Sequence, residues 1–207
     1  MRFKRFFDVT VSVAVLVLLS PLFVPVLIAV AYFHGRPVFF TQERVGRYGQ
    51  PFHILKLRSM TDERDEHGNL LPDDQRMTTF GSILRKSSLD ELPALINVIK
   101  GDMSLVGPRP LLNDYHDLYT PDQYRRHDIR GGITGLAQVK GRNSLSWEEK
   151  FAYDIEYIDN MSFWLDLKIM WWTVFKVAAS EGIAQEGVAT AERFEGSRRP
   201  ARRRLRI

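Results

Sequence analysis

The sequence has no cysteine, which excludes a disulfide framework, a thiolate nucleophile and a cysteine-ligated metal, and which fits a reducing compartment. It also lacks the spacing of a Walker loop or a dinucleotide fingerprint. The one glycine-rich stretch, "RGGITGLAQVKGRN", has neither pattern, although its four glycines would let backbone approach a ligand closely. A basic body is missing as well. The formal net charge is +4, yet six arginines stand in the last ten residues, "RRPARRRLRI". Without those six the 29 basic residues fall to 23 against 25 acidic ones, so residues 1 to 196 carry a net charge of −2. The cationic character belongs to a tail that suits anionic headgroups or nucleic acid, or that is a disordered terminus.

Charge is absent altogether from residues 9 to 33, "VTVSVAVLVLLSPLFVPVLIAVAYF", a run of 25 positions without Asp, Glu, Lys, Arg or His. As a straight helix this run would extend about 37 Å, more than the roughly 30 Å of a hydrocarbon core. Association with a membrane follows, in one of three arrangements: a cleaved signal peptide, a spanning helix, or a helix that enters the bilayer and returns. The apolar stretch is long for a signal peptide. Pro21 has no N–H for the carbonyl of Val17, and Ser20 is placed to bond back toward Leu16, so a kink is expected at Ser20 and Pro21. Arg2, Lys4 and Arg5 before the segment and Arg36, Arg44 and Arg47 after it put both flanks on the cytoplasmic side, which favours re-entry over spanning.

Beyond the apolar run, "VFFTQERVGRYGQPFHILKLRSM" has a turn cluster between two runs of aromatic, aliphatic and β-branched residues, the pattern of a β-hairpin. On its second run Phe52, Ile54, Lys56 and Arg58 share a face, where two cations could meet a phosphate or simply face water. The polar "TDERDEHGNLLPDDQRM" that follows reads as an exposed loop. In "LRKSSLDELPALINVIKGDMSLVGPRP", Leu92, Leu95, Ile96 and Ile99 have helical spacing, and Ser88 with Glu91 forms a capping-box pattern. One reading has Glu91 cap the helix while Asp90 favours its dipole. The other uses the helix N-terminus with Arg85, Lys86 and Arg109 as a phosphate site, where Asp90 is a nucleophile on phosphorus or a ligand for a divalent metal. Arg109, held between two prolines in "GPRP", suits a bidentate phosphate clamp and equally an ordinary turn. Residues 147 to 181 contain two helices, the second carrying Trp171, Trp172 and Phe175 with Lys168 and Lys176, a composition suited to a headgroup layer or to a core.

Taken in order, the basic start, the Ser-Pro break, "FFTQERVGRYGQPFHILKLRSM", "LRKSSLDELPALINVIKGDMSLVGPRP", "GGITGLAQVKGRN" and "YDIEYIDNMSFWLDLKIMWWTV" resemble the bacterial sugar transferase family over about residues 1 to 185. The resemblance is to the minimal form of these monotopic polyprenyl-phosphate phosphoglycosyl transferases. It implies an α+β, mostly helical fold with a re-entrant kinked membrane helix over residues 1–35. A cytosol-facing catalytic domain with a β-hairpin and interfacial amphipathic helices would follow over 36–185, and a disordered basic tail over 186–207. It also implies transfer of a sugar phosphate from a UDP-sugar to undecaprenyl phosphate at the bacterial inner membrane, among its phospholipids, with release of UMP. Asp90 would be the covalent nucleophile and a ligand for Mg²⁺, and Glu91 its partner. Lys56, Arg85 and Arg109 would bind the phosphates, and Arg142 would lie on the nucleotide side. The minimal form points to N-acetylated donors such as UDP-diNAcBac, UDP-GalNAc or UDP-GlcNAc. No nucleic-acid partner is implied, and a homo-oligomer is compatible.

Cations and the helix terminus should keep Asp90 ionised near pH 7. Two departures from the family pattern stand in the glycine-rich stretch, Leu136 for Trp and Lys140 for Asn. Two other functions fit the same residues: a membrane-anchored phosphate- or lipid-binding scaffold, and a nucleotide-sugar hydrolase.

Overall fold

The computed structural model describes residues 2–141, 144–179 and 193–196. The apolar run forms one helix, α1 (Arg2–His34), with Pro21 and Pro25 inside it, so the proline break does not divide it into two elements. Its local chemistry differs from the expectation by one residue. Ser20 Oγ donates to the Val17 carbonyl at 2.8 Å, not to that of Leu16. Val17 is the residue whose carbonyl the missing N–H of Pro21 leaves without a donor, so the neighbouring serine satisfies it and the helix continues.

Both ends of α1 rest on one folded body. At the start, Arg5 donates to the carbonyls of Val98 and Ile99, and Lys4 Nζ reaches Asp166 at 2.6 Å. At the end, the His34 ring hydrogen-bonds Thr78 Oγ1 at 2.7 Å. Phe7, Val11 and Val15 pack on the main core, whereas Phe23, Val26 and the buried Val30 pack on a second cluster with Leu57 and Leu84. The outward faces of Val17, Leu18 and Ile28 remain exposed.

The expected hairpin is present. Strands β1 (Phe39–Val45) and β2 (Pro51–Leu57) pair antiparallel, with Phe40 opposite Lys56 and Arg44 opposite Phe52. The charged loop that follows is exposed for most of its length. It leads through α2 (Asp73–Arg76) to α3 (Thr79–Lys86), whose first turn is capped by Thr78 Oγ1 accepting from the Gly81 amide at 2.9 Å. After a single 3₁₀ turn, α4 (Ala94–Lys100) begins one residue past Pro93 and ends at Gly101, whose φ of 105° suits a residue without a side chain.

Asn97 on α4 ties this helix to the hairpin. Its side chain accepts from the Leu55 amide at 3.0 Å and donates to the His53 carbonyl at 2.8 Å, occupying the edge of β2 that β1 leaves open. A short parallel pair, β3 (Ser104–Val106) with β4 (Gly132–Thr134), joins segments nearly thirty residues apart and has no counterpart in the sequence reading.

The remaining helices are α5 (Pro121–Tyr124), α6 (Leu136–Lys140), α7 (Trp147–Asp159) and α8 (Phe163–Ala178). The last two are the expected pair, started by Ser146 and Ser162 as N-caps. Val98, Met103, Leu105, Tyr157 and Ile169 join α4, β3, α7 and α8 in the main core. Trp164, Trp171 and Phe175 of α8 stay exposed, as do Phe3 and Phe6 of α1. From the C-terminal region, Phe194 is buried against Tyr115 and Phe151. The arginines of the last ten residues lie outside the described residues.

Candidate active site

The site begins where α3 gives way to α4. Ser88 sits in the left-handed region at φ 57° and makes no side-chain cap, so the capping-box reading fails. A non-glycine residue there costs about 1–2 kcal/mol, borne by the surrounding structure. The chain then makes a 3₁₀ turn over Leu89–Glu91, and Pro93 separates this turn from α4. With no cap to serve, Glu91 turns away from its own helix toward two distant cations.

Its Oε1 accepts from Lys56 Nζ at 2.7 Å and from Arg109 Nη2 at 2.6 Å, while Oε2 lies 3.4 Å from Arg109 Nη1. Three of the expected residues therefore meet directly, brought from β2, the 3₁₀ turn and the "GPRP" loop. Burial alone would raise the Glu91 carboxyl, but Arg109 and Lys56 outweigh it and hold it far below the usual carboxylate range.

Asp90 is 7% exposed, and its carboxylate makes no hydrogen bond or ion pair with any other described residue. Burial and the Glu91 charge push it up to about 6, against the pull of Lys56, Arg85 and Arg109. The expectation that cations would dominate is corrected on this point, because loss of water is the larger effect. At pH 7 the group is still mostly ionised. Arg85 contributes to the field on Asp90, and its Nε donates to Ser59 Oγ at 3.0 Å. Arg58, which shares the strand face of Lys56, instead pairs with Asp62 at 2.8 Å. Arg142 lies outside the described residues.

Beside Glu91 opens a cleft of about 300 Å³ lined by Arg44, Lys56, Glu91, Arg109 and Ile133, with Asp90 next in sequence but not in the lining. In the sequence Arg44 is only one of the charges that flank the apolar run. Its Nε is buried without a hydrogen-bond partner among the described residues, and burial with the nearby Arg109 lowers its guanidinium to about 10, so it stays charged. The hairpin register held the signal: Phe40 lies opposite Lys56, and Arg44, four residues on, shares that face.

A second omission is Arg126, almost fully buried and paired with Asp154 at 2.8 Å. Its Nη2 also donates to the Arg109 carbonyl at 2.8 Å, so this ion pair fixes the backbone of the clamp arginine. The glycines of "GGITG" serve packing. A Cβ on Gly132 or Gly135 would lie 2.2 Å from the backbone of Gly107, two residues before Arg109.

Among the described residues no three His, Asp or Glu side chains gather into a metal site. Glu91 is already neutralised by two cations, whereas Asp90 keeps its lone pairs. One free carboxylate fits Mg²⁺ in the mode completed by substrate phosphate oxygens and water, not a cage built by protein alone.

Comparison with known proteins identifies the family. The family model "Bacterial sugar transferase" matches residues 1–180. The "Uncharacterized sugar transferase EpsL" of Bacillus subtilis is 55% identical over 197 residues, covering 95% of this chain and 98% of that protein. The "UDP-glucose:undecaprenyl-phosphate glucose-1-phosphate transferase" of Klebsiella pneumoniae is 41% identical over 85% of this chain and 40% of its own length. The "Undecaprenyl-phosphate galactose phosphotransferase" of Salmonella typhimurium is 36% identical over 86% of this chain and 41% of its own length. With the family model spanning nearly the whole chain and the acidic dyad set among its cations, this protein belongs to the bacterial sugar transferase family.

Proposed function

We propose that the protein transfers a sugar phosphate from a UDP-sugar to undecaprenyl phosphate and releases UMP, through a covalent intermediate on Asp90. The observation that carries this reading is the buried Asp90 carboxylate, without a hydrogen-bond or ion-pair partner among the described residues, beside a Glu91 that is locked to Lys56 and Arg109. An Asp90 oxygen attacks the sugar-bearing phosphorus, and the phosphoanhydride bond breaks with its electron pair leaving on the UMP phosphate. An oxygen of the lipid phosphate then attacks the same phosphorus and expels the Asp90 carboxylate. Each step exchanges one P–O bond for another, and neither requires ATP.

Two anions must approach an anionic centre in both steps, so the cations have a defined task. Arg109 and Lys56, positioned through Glu91, face the cleft and bind phosphate oxygens, with Arg44 beside them. Glu91, kept ionised by those cations, is a poor proton acceptor, so its role is to hold them in place. Asp90 and the donor phosphates would hold Mg²⁺, which offsets charge on the diphosphate. Arg142, by the resemblance, serves the nucleotide side.

The contacts of α1 support a membrane arrangement. A helix crossing a bilayer separates its ends by about 30 Å of hydrocarbon, but here Lys4, Arg5 and His34 all touch one body. This supports a monotopic, re-entrant seat at the bacterial inner membrane with the active site facing the cytoplasm. The exposed Phe3, Phe6, Trp164 and Trp171 would lie at headgroup depth.

N-acetylated UDP-sugars are the donors expected from the minimal form. UDP-glucose and UDP-galactose are the second reading, favoured by the sugars in the names of the Klebsiella and Salmonella relatives. A UMP-release assay over a panel of UDP-sugars, with and without undecaprenyl phosphate, tests the whole reading. Turnover that requires the lipid, together with labelled sugar phosphate trapped on wild type and lost in Asp90→Asn, is the expected result. Steady lipid-independent release of UMP would make it a hydrolase, no release would make it a scaffold, and appreciable turnover by Asp90→Asn would remove the nucleophile assignment.

A further inference from the structure

Outside the active-site cleft there is a second concavity of about 410 Å³, lined by Lys4, Arg5, Arg47, Arg130, Asp8 and Met161, with Ser104 at its floor. Four cations face one carboxylate there, and that carboxylate is already engaged: Asp8 accepts from Ser104 Oγ at 2.7 Å and lies 3.9 Å from Lys4. Lys4 is held mainly by Asp166.

The two outer arginines have a common geometry. Arg47 Nε donates to the Asp128 carbonyl at 3.1 Å, and Arg130 Nε donates to the Gly101 carbonyl at 2.6 Å. Each guanidinium plane is therefore fixed by backbone, while its terminal nitrogens make no hydrogen bond or ion pair with the other described residues. A planar fork fixed at Nε with open Nη groups matches the oxygens of a phosphate. Burial, followed by Arg5 and Arg47, lowers the Arg130 guanidinium, so these like charges oppose one another until an anion offsets them.

The surroundings indicate the source of that anion. Lys4 and Arg5 belong to the first turns of α1, between the exposed Phe3 and Phe6. Phe3 and Phe7 each stack edge-on to Phe163 at 5.1 Å, next to the exposed Trp164. Basic forks beside exposed aromatic side chains are the composition of a headgroup layer.

We propose that the Arg5, Arg47 and Arg130 pocket binds the phosphate headgroup of an anionic membrane phospholipid, separate from the reacting lipid, and so docks the enzyme on the bilayer. The proposal rests on the membrane seat inferred above and not on the transfer chemistry. The test uses the full chain in nanodiscs and native mass spectrometry, with phosphatidylglycerol and phosphatidylcholine as probes and UMP release measured in parallel.

Wild type should retain phosphatidylglycerol at least about tenfold better than phosphatidylcholine: both carry the phosphate, but the choline cation of the second is repelled by Lys4, Arg5, Arg47 and Arg130 and offsets the charge they would bind. Arg47→Gln combined with Arg130→Gln should remove the preference while UMP release in phosphatidylcholine discs stays at the wild-type rate. Arg47→Gln alone, which leaves the Gly101 carbonyl bond intact, should halve the preference or more, and Arg47→Lys should restore part of it. Equal retention of both lipids by wild type, or an unchanged preference in a folded double variant, overturns the proposal. Displacement of the bound lipid by millimolar inorganic phosphate would assign the pocket to a soluble anion and overturn it as well. Loss of UMP release with the lipid preference intact would count against the transferase reading instead.

Discussion

Replacing Glu91 with Gln tests the electrostatics of the site through the acidity of its neighbour. In the native dyad Asp90 climbs from 3.8 to about 6, burial being the first cause and the Glu91 charge the second. That climb corresponds to a bias of about 3 kcal/mol toward the neutral acid. Glu91→Gln removes one anion next to Asp90 and also frees Lys56 and Arg109 from the pairs that quench them. Both consequences favour the Asp90 carboxylate, so its pKa must fall, by on the order of one unit. The assay is single-turnover formation of the labelled intermediate without lipid acceptor, because a UDP-sugar has no phosphate monoester to titrate near pH 6. Formation needs the ionised form, so the rate rises with pH through the Asp90 pKa. Wild type at pH 5 should run at about one-tenth of its own plateau, and Glu91→Gln at about half of its own. Normalising each profile to its plateau removes the loss of rate caused by misplaced cations. An acid limb that stays near 6, or moves upward, refutes the claim that repulsion within the dyad helps set the nucleophile.

Asp154→Asn leaves the Arg126 guanidinium buried without its counter-ion. A loss of about 3–5 kcal/mol is expected, seen as a fall in Tm of roughly 2–4 °C for each kcal/mol by thermal scanning in detergent. Gly81→Ala puts a Cβ 1.9 Å from the Ser59 carbonyl oxygen. It should destabilise by about 1–3 kcal/mol and, by shifting α3 away from Ser59, slow intermediate formation through Arg85; a wild-type rate at full stability would contradict this packing. An impermeant thiol reagent applied to intact cells should fail to label a cysteine placed at Met1 and one placed in the loop at Asn69, whereas labelling at Met1 alone would refute the re-entrant seat.

Much of this architecture was legible in the chain because it depends on neighbours in sequence. The hairpin follows from a turn cluster between β-rich runs, and the helical spacing of Leu92, Leu95, Ile96 and Ile99 gave a helix, although the structure starts it only at Ala94. The failures share one cause. Ser88 and Glu91 have capping-box spacing, but spacing does not say whether Glu91 finds a nearby amide or a cation 35 residues away on β2, and the ion pair with Lys56 prevails. The glycines of "GGITG" looked like a ligand loop because the chain carries no mark that Gly107 would pack against them.

Residue types and short-range order alone determined the apolar segment, the proline and its compensating serine, the acidic dyad and the set of candidate cations. Those properties are covalent or reach no further than a helical turn. Tertiary structure decided which cations reach Glu91, that Arg44 and Arg126 belong with them, that both ends of α1 contact the folded body, and that Asp90 is acidic only near 6. Each of these depends on burial and on charges brought together across many residues, and desolvation and Coulomb forces act through space, not along the chain.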